Sequence, residues 1–406
     1  MLQKHKLLAL IIVAVLVGTM LNAVAKADVL AYWEFNDKAS GGTTTAGERI
    51  NDSSSYNRDA YAGTGSSTPT YVAGDPYYGS TSAMHFTADT DEAIFEAGHD
   101  FGDGNVAGAD LWFGASDSFT MEAVIKLPVG STGYHGIMFK KEDTYSSQFW
   151  WRIRPTTGYQ NFYIQGAADS NGISGPIGTV NLFDGKWHHV AAVRDTAADV
   201  TRIYIDYVLD KTTDTADNTT GSIANGGILT IGAFTGNDTR EFAGDIDFIK
   251  ISSGVLTTSQ FVQKLVLPSN PSPSDDANVV PIDANLSWTP ITEGGTTINY
   301  HTVYLATDEA FSNIVETFNN VTGSSVNPSG DLELATTYYW RVDTDGQNGG
   351  VPFLRKGVVW SFTTPLCTMT VADGDLNGDC IVNMQDFSVI ANNWLKCQYD
   401  RTGMCP

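Results

Sequence analysis

Between residues 28 and 265 apolar and polar residues alternate in short runs, separated by turns rich in Gly, Asn, Asp and Ser. A period of two marks a strand with one buried face, because successive side chains point to opposite sides of the pleat. The pattern predicts strands over 29–35, 119–127, 136–140, 148–154, 161–165, 187–195, 201–207, 228–231 and 245–251. Nothing in the region breaks it strongly, so it reads as one large sandwich. Closely spaced prolines and serines in Leu267-Pro268-Ser269-Asn270-Pro271-Ser272-Pro273 then predict an extended linker. Alternation resumes at 286–288, 300–305, 336–343 and 359–364, a second and smaller set of strands. After Pro365 the period changes: Phe387, Ile390, Ala391 and Trp394 recur at helical spacing and predict a single helix, 387–395.

A chain of 406 residues exceeds one small core and fits two to four domains. With 17 Tyr, 19 Phe and 9 Trp beside 40 Gly, strand formers and turn formers dominate, and the fold class is mainly β. A net charge of −23 repels the phosphates of nucleic acid and argues against such a partner. The surplus of carboxylates suits cations, but most of them make a solvated surface, and only a spaced cluster counts as a site. Lys4 and Lys6, the apolar run from Leu7 to Val17 and the small-residue word Ala25-Lys26-Ala27 follow the order of a secretory signal peptide. Residues 1–27 are therefore expected to be removed, leaving a chain from Asp28 that is secreted or held at the cell surface, with no membrane span.

The ordered words Ala31-Tyr32-Trp33-Glu34-Phe35, Phe119-Thr120-Met121-Glu122-Ala123-Val124-Ile125 and Asp184-Gly185-Lys186-Trp187-His188-His189-Val190-Ala191 continue into 202–206, 229–232 and Phe242-Ala243-Gly244-Asp245-Ile246-Asp247. In this order they resemble the laminin-G-like, concanavalin A-like jelly-roll family over 28–265. That resemblance implies a β-sandwich, a fold shared by lectins, adhesion modules and domains appended to enzymes. Leu286-Ser287-Trp288, 300–305, Thr336-Thr337-Tyr338-Tyr339-Trp340 and 359–364 resemble strands of fibronectin type III modules, an immunoglobulin-like sandwich over 266–365. There Trp288 is expected in the core, and Tyr338 or Tyr339 as the corner tyrosine.

The segment from Asp375 to Asp386 fits the twelve-residue EF-hand loop. Asp375, Asn377 and Asp379 stand at positions one, three and five, Ile381 offers its carbonyl at seven, Asn383 stands at nine and Asp386 at twelve. A hard cation needs such alternation, because the chain winds round it and turns every second residue inward. The cofactor implied is Ca²⁺. The blander reading is an acidic turn with Asp386 as helix N-cap. Cys380 occupies position six, where a positive φ is needed and a residue other than glycine costs about 1 kcal/mol or more. With Asp at position twelve, residues 366–406 resemble half of a type I dockerin, one repeat where dockerins carry two, and the implied partner is a cohesin-like protein. Cys367, Cys380, Cys397 and Cys405 allow three connectivities. The expected pairs are Cys380 with Cys397, which would tie the loop to the end of its helix, and Cys367 with Cys405.

Jelly-roll glycosidases of the laminarinase-like family carry the word E-x-D-x-x-E, which sets two carboxylates about 5–5.5 Å apart for a retaining mechanism. The sequence lacks that word: Asp245-Ile246-Asp247-Phe248-Ile249-Lys250 ends in a lysine, and Glu34 with Asp37 is a weaker alternative. His188 and His189 point to opposite faces of a strand and cannot share an ion; Trp187 and His189 are expected to pack inward. Along Phe149-Trp150-Trp151-Arg152-Ile153-Arg154, alternation sends Phe149, Trp151 and Ile153 to one face and Trp150, Arg152 and Arg154 to the other. With Tyr159 or Tyr163 on a neighbouring strand, Trp150 and Arg152 would form a glycan platform; otherwise the tryptophan covers core and the arginines neutralise nearby acids. The laminin-G resemblance also implies a structural calcium, with Asp37, Asp52 and Asp245 as candidate ligands. The whole reads as an exported, non-catalytic protein that binds a glycan or cell-surface ligand. The alternatives are a polysaccharide-degrading hydrolase carrying a dockerin and a structural or adhesive surface protein.

Overall fold

In the computed structural model the chain divides into two compact units, Met1–Gln263 and Lys264–Pro406. The structure describes residues 27–393 except 64–66, 88–93, 97–110, 112, 142–147, 166–174, 214–221, 225–228, 234–239, 368–372 and 378–379. The expected signal segment up to Lys26 lies outside the described residues, as do Ile228, Asp379, Trp394, Leu395, Cys397 and Cys405.

The first unit holds β1 (Val29–Trp33), β2 (Arg49–Ile50), β3 (Ala60–Ala62), β4 (Thr70–Val72), β5 (Ala83–Thr87), β6 (Ile94–Glu96), β7 (Phe119–Lys126) and β8 (His135–Lys141). It continues with β9 (Gln148–Ile153), β10 (Gln160–Gln165), β11 (Trp187–Asp195), β12 (Val200–Ile205), β13 (Val208–Thr212), β14 (Leu229–Ile231) and β15 (Ala243–Ser253). One sheet runs β13-β12-β11-β7-β15-β5-β4, with β1 also on β15; the other runs β10-β9-β8-β14-β6-β3-β2. The long predicted strands all form. Those the pattern did not predict, β2 to β6 and β13, have two to five residues, too few to show a period.

The inward residues of both sheets make one core. Phe119, Met121, Ala123 and Ile125 of β7 join Phe149, Trp151 and Ile153 of β9, all essentially inaccessible to solvent. Phe119 stacks on Phe113 at 4.1 Å and meets Phe149 and Phe162 at 6.2 Å, so aromatic rings bridge the sheets. Each such side chain stabilises the fold by about 1.5–3 kcal/mol.

The other side of the larger sheet is covered by its own chain. Register places Glu122 of β7 beside Ala191 of β11 and Lys250 of β15. Glu122 is fully buried; its Oε1 accepts from Lys250 Nζ at 3.2 Å and its Oε2 from the Val262 amide at 2.6 Å, with His189 Nε2 at 3.1 Å. Leu256 and Phe261 pack on Ala191 and Val193, so the segment after β15 lies across the sheet as a strap. His189 is thus buried, stacked on Tyr207 at 4.7 Å and Phe261 at 5.5 Å, but under the strap rather than between the sheets. Trp187 is half-buried beside Lys126, not packed into the core as expected.

At the start of β8, His135 is 2 % exposed. Its Nδ1 accepts from the Ala243 amide at 3.0 Å, so the proton of the neutral ring sits on Nε2, which donates to Ser131 Oγ at 2.6 Å. Burial lowers its pKa from the ordinary 6.5 to about 4.

The second unit holds β16 (Ser269–Ser272), β17 (Leu286–Thr289), β18 (Thr296–Ala306), β19 (Ile314–Val321), β20 (Ser325–Val326), β21 (Thr337–Asn348), β22 (Val351–Arg355) and β23 (Trp360–Thr363). A three-stranded sheet, β16-β17-β20, and a five-stranded one, β19-β18-β21-β22 with β23 on β21, enclose Trp288, Trp340, Trp360 and Phe362. The expected linker is corrected here. Residues 269–272 form an edge strand paired with β17, a place where proline's missing N–H is tolerated. Tyr338 is the buried tyrosine of the pair, and its hydroxyl accepts from the Glu333 amide at 2.9 Å.

Beyond β23 the chain closes a loop and enters α1 (Met384–Asn393). Asn383 is the N-cap, its Oδ1 accepting from the Gln385 amide at 2.6 Å, while Asp386 reaches back to the Asn383 amide at 2.7 Å. This is a capping box, with Asn383 in the role that one reading gave to Asp386. The disulfide joins Cys367 and Cys380, with Cα atoms 5.8 Å apart, which overturns the expected pairing of Cys380 with Cys397 and of Cys367 with Cys405. Cys380 adopts φ +64° with its amide held by Asp375, and this turn brings its sulfur back to the segment entering the loop rather than to the end of the helix.

Two outcomes follow from these buried polar contacts. Glu122→Ala leaves Lys250 and the Val262 amide without an acceptor; it should cost about 3–5 kcal/mol in a denaturant melt and open residues 255–263 to limited proteolysis. An unchanged melt would contradict the strap. His135 has a folded pKa below its unfolded one, so its contribution is complete above pH 6.5 and is lost as pH falls toward about 4. That loss is about 3 kcal/mol, and His135→Asn, which keeps an acceptor for Ala243, should flatten the thermal-melt profile over this window.

Candidate functional site

The outer face of β8, β9 and β10 is built by the alternation that fills the core. Phe149, Trp151 and Ile153 are fully buried, which turns Trp150, Arg152 and Arg154 outward, each half-buried. Register then sets two rows across the strands: Phe139, Trp150 and Tyr163 in one, Gly136, Arg152 and Asn161 in the next. Tyr159 stands in the turn that follows, its carbonyl accepting from the Arg154 amide at 2.8 Å.

The rings and guanidiniums interlock. Trp150 stacks on Tyr163 with centroids 5.3 Å apart, and Phe139 meets it edge-on at 6.2 Å. Tyr163 is 5 % exposed, so it supports the surface from below rather than extending it. Arg152 lies 4.8 Å from the Tyr134 ring and 5.2 Å from Trp150, and its Nε donates to Asn161 Oδ1 at 3.1 Å. A second guanidinium, Arg240, lies 4.4 Å over Trp150 and 5.6 Å from Tyr134.

Sequence reasoning missed Tyr134 and Arg240. Arg240 comes from the approach to β15, far from β9 along the chain, and Gly136 admits it. The Gly136 amide donates to the Arg240 carbonyl at 3.0 Å, and a Cβ at Gly136 would stand 2.6 Å from that oxygen and 2.0 Å from the Phe139 ring. The glycine inside a predicted strand was the one available signal.

Arg152 has no carboxylate at ion-pair distance among the described residues. Burial and then the neighbouring Arg240 push its pKa below the ordinary arginine value. The reading in which this arginine neutralises nearby acids therefore fails for Arg152.

The carboxylates considered for other roles are spread over the first unit. Asp52 is saturated by its own loop, accepting from the amides of Tyr32, Ser54 and Arg58 at 2.7, 2.8 and 2.7 Å. Asp37 accepts from Asn51 next to it, whereas Asp245 is held by His85 Nδ1 at 2.6 Å. The structure thus does not bring Asp245 together with Asp37 and Asp52. Glu34 accepts from Ser53 Oγ at 2.6 Å. Asp247, fully buried on β15, accepts from the Asp75 amide at 3.1 Å, and burial pushes its pKa well above the ordinary carboxyl value.

At the C-terminal loop, Asp375 and Asp386 are each 3 % exposed. Asp375 Oδ2 accepts from the Cys380 amide at 2.9 Å; Asp386 Oδ1 accepts from Leu376 and Asn377 at 2.8 and 3.2 Å. Amides of Asn383, Asn377 and Leu376 hold the Asp386 carboxyl below its ordinary pKa. Cys367 and Cys380 have sulfurs close to Asp375, but the disulfide removes them as ligands, and the donors left are hard oxygens. Val382 in the loop is 54 % exposed, and Phe387 and Ile390 of α1 are exposed too.

Residues 100–261 match the family model of the concanavalin A-like lectin/glucanases superfamily, in keeping with the jelly-roll sandwich seen here. Comparison with curated proteins gives no match. Among solved structures the chain is similar to domain 4 of a GH43 extracellular arabinanase from Geobacillus stearothermophilus in complex with arabinotriose. That likeness has 18 % identity and a TM-score of 0.38, covering 58 % of this chain and 97 % of that one. It is also similar to the CBM40 of a Ruminococcus gnavus sialidase bound to α2,3-sialyllactose, at 13 % identity and TM-score 0.33, over 44 % and 94 %. A pentraxin from Limulus polyphemus matches at 21 % identity and TM-score 0.30, over 37 % and 70 %.

Proposed function

We propose that the first unit is a non-catalytic glycan-recognition module and that the outer face of β8–β10 is its binding surface. One observation carries the reading: Trp150, Tyr134, Arg152 and Arg240 meet on the side of a sheet opposite its core. Aromatic rings offer apolar area at small entropic cost, and guanidinium groups donate to sugar oxygens in fixed directions. Binding is reversible and needs no bond chemistry. The second sandwich, which resembles fibronectin type III modules, acts as a spacer in an exported protein.

The C-terminal loop fits Ca²⁺, with Asp375 and Asp386 as its buried carboxylates, Asn377 and Asp379 as further oxygen donors, the Ile381 carbonyl, and Asn383 through water. When bound, the ion supplies a fixed positive charge for these oxygens. The chain's own part is to hold the loop shut, through the Cys367–Cys380 bridge at its entry and the Asp386 contacts to both ends of the loop. The exposed apolar residues of α1 are then presented to a docking partner such as a cohesin-like protein.

Retardation in affinity gels containing polysaccharide tests the first claim. The full chain should be retarded, Trp150→Ala should weaken binding by about 2 kcal/mol, and no reducing sugar should be released. Release of reducing ends from the retarding polysaccharide would overturn the non-catalytic reading. Calorimetry of the full chain with Ca²⁺ should show a site that Asp375→Ala removes, and an unchanged isotherm in that variant would place the ion elsewhere.

A further inference from the structure

We infer that the ligand of the β8–β10 face carries an anionic oxygen group on its sugar, a carboxylate or a sulfate ester, held by Arg152 and Arg240. The inference rests on the glycan-binding reading above and names the class of glycan.

Charge makes the first argument. Acidic residues outnumber basic ones 46 to 23 in this chain, so an arginine has many acids to pair with. Arg152 pairs with none among the described residues. The charged neighbours acting on it among the described residues are Arg240 and Arg154, and its burial removes part of the water that would screen them. The half-buried charge of Arg152, with no carboxylate at ion-pair distance among the described residues, costs stability that an anion would restore.

Geometry makes the second. The Tyr134 and Trp150 rings fix the plane of the Arg152 guanidinium, and Asn161 takes its Nε hydrogen. Its two Nη groups make no hydrogen bond among the described residues. A planar fork of this kind matches a carboxylate or sulfate through two parallel bonds. Trp150 adds a constraint of its own. Arg240 lies over its ring at 4.4 Å and Tyr163 stacks on it, so a neutral sugar seeking that face must displace a guanidinium. An anion at the guanidinium edge leaves the stack in place. The net charge of −23 repels polyanions at long range, so binding of one requires this local site.

The test uses the full chain and a matched set of oligomers: galactan, galacturonate and sulfated galactan, followed by calorimetry at low and moderate salt. Galacturonate or the sulfated galactan, or both, should bind about tenfold or more tighter than galactan, with affinity falling as salt rises. Preference for one anion names the group as carboxylate or sulfate. Arg152→Gln should remove that advantage, the affinity for the charged oligomers falling to that for galactan, while the circular-dichroism spectrum stays that of the folded parent. Arg152→Lys, which keeps charge but loses the fork, should fall between them. Equal binding of galactan and the charged oligomers, unaffected by Arg152→Gln, would overturn the inference and leave the glycan-binding reading standing. Absence of binding to all three would overturn both.

Discussion

A strand between two others can give only every second side chain to the core, and the surface of the first unit depends on how β9 obeys that constraint. Burial of Phe149, Trp151 and Ile153 is worth several kcal/mol, and a slip of one residue would exchange them for Trp150, Arg152 and Arg154. Register is therefore held by the core. The outward set inherits its positions from this arrangement: the stack of Trp150 on Tyr163 and the placing of Arg152 opposite Asn161 follow from pairing with β10. A surface built this way is rigid without contributing to its own support.

The two outer faces of the sandwich are treated in opposite ways. On the larger sheet a strap covers the strands, and a buried carboxylate, Glu122, gathers Lys250, His189 and the Val262 amide around it. Charge there is matched and sealed. On β8–β10 the charge of Arg152 has no carboxylate partner among the described residues and is only half sealed. Burial of a polar group is tolerated when its partners are present, so the first arrangement reads as structure and the second as a place prepared for something outside the chain. The second unit and its C-terminal loop show the same economy, with Asp386 serving the helix cap and the loop closure together.

The long strands, both sandwiches, and the two faces of β9 were legible because each rests on a local period. Short strands such as Arg49–Ile50 were not, since two residues carry no period and their pairing is decided by neighbours. Residues 269–272 were misread because proline spacing signals stiffness but does not distinguish a linker from an edge strand. The disulfide depended on the direction of Cys380 at positive φ, which cysteine spacing does not encode. Trp150 and Arg152 were visible as candidates, whereas Arg240 joined them through a hydrogen bond from Gly136, a contact between distant segments. Tyr163 lay on the expected face yet proved buried, because alternation gives the side of a sheet and says nothing of what covers it.

The central claim is a location as much as an activity. Hydrogen–deuterium exchange of the full chain, with and without saturating galacturonate oligomer, measures it most directly. Slowed exchange should be confined to peptides spanning 134–141, 148–154, 160–165 and the approach to β15 around Arg240. Protection confined to other strands of the sandwich, with these four segments unchanged, would contradict it.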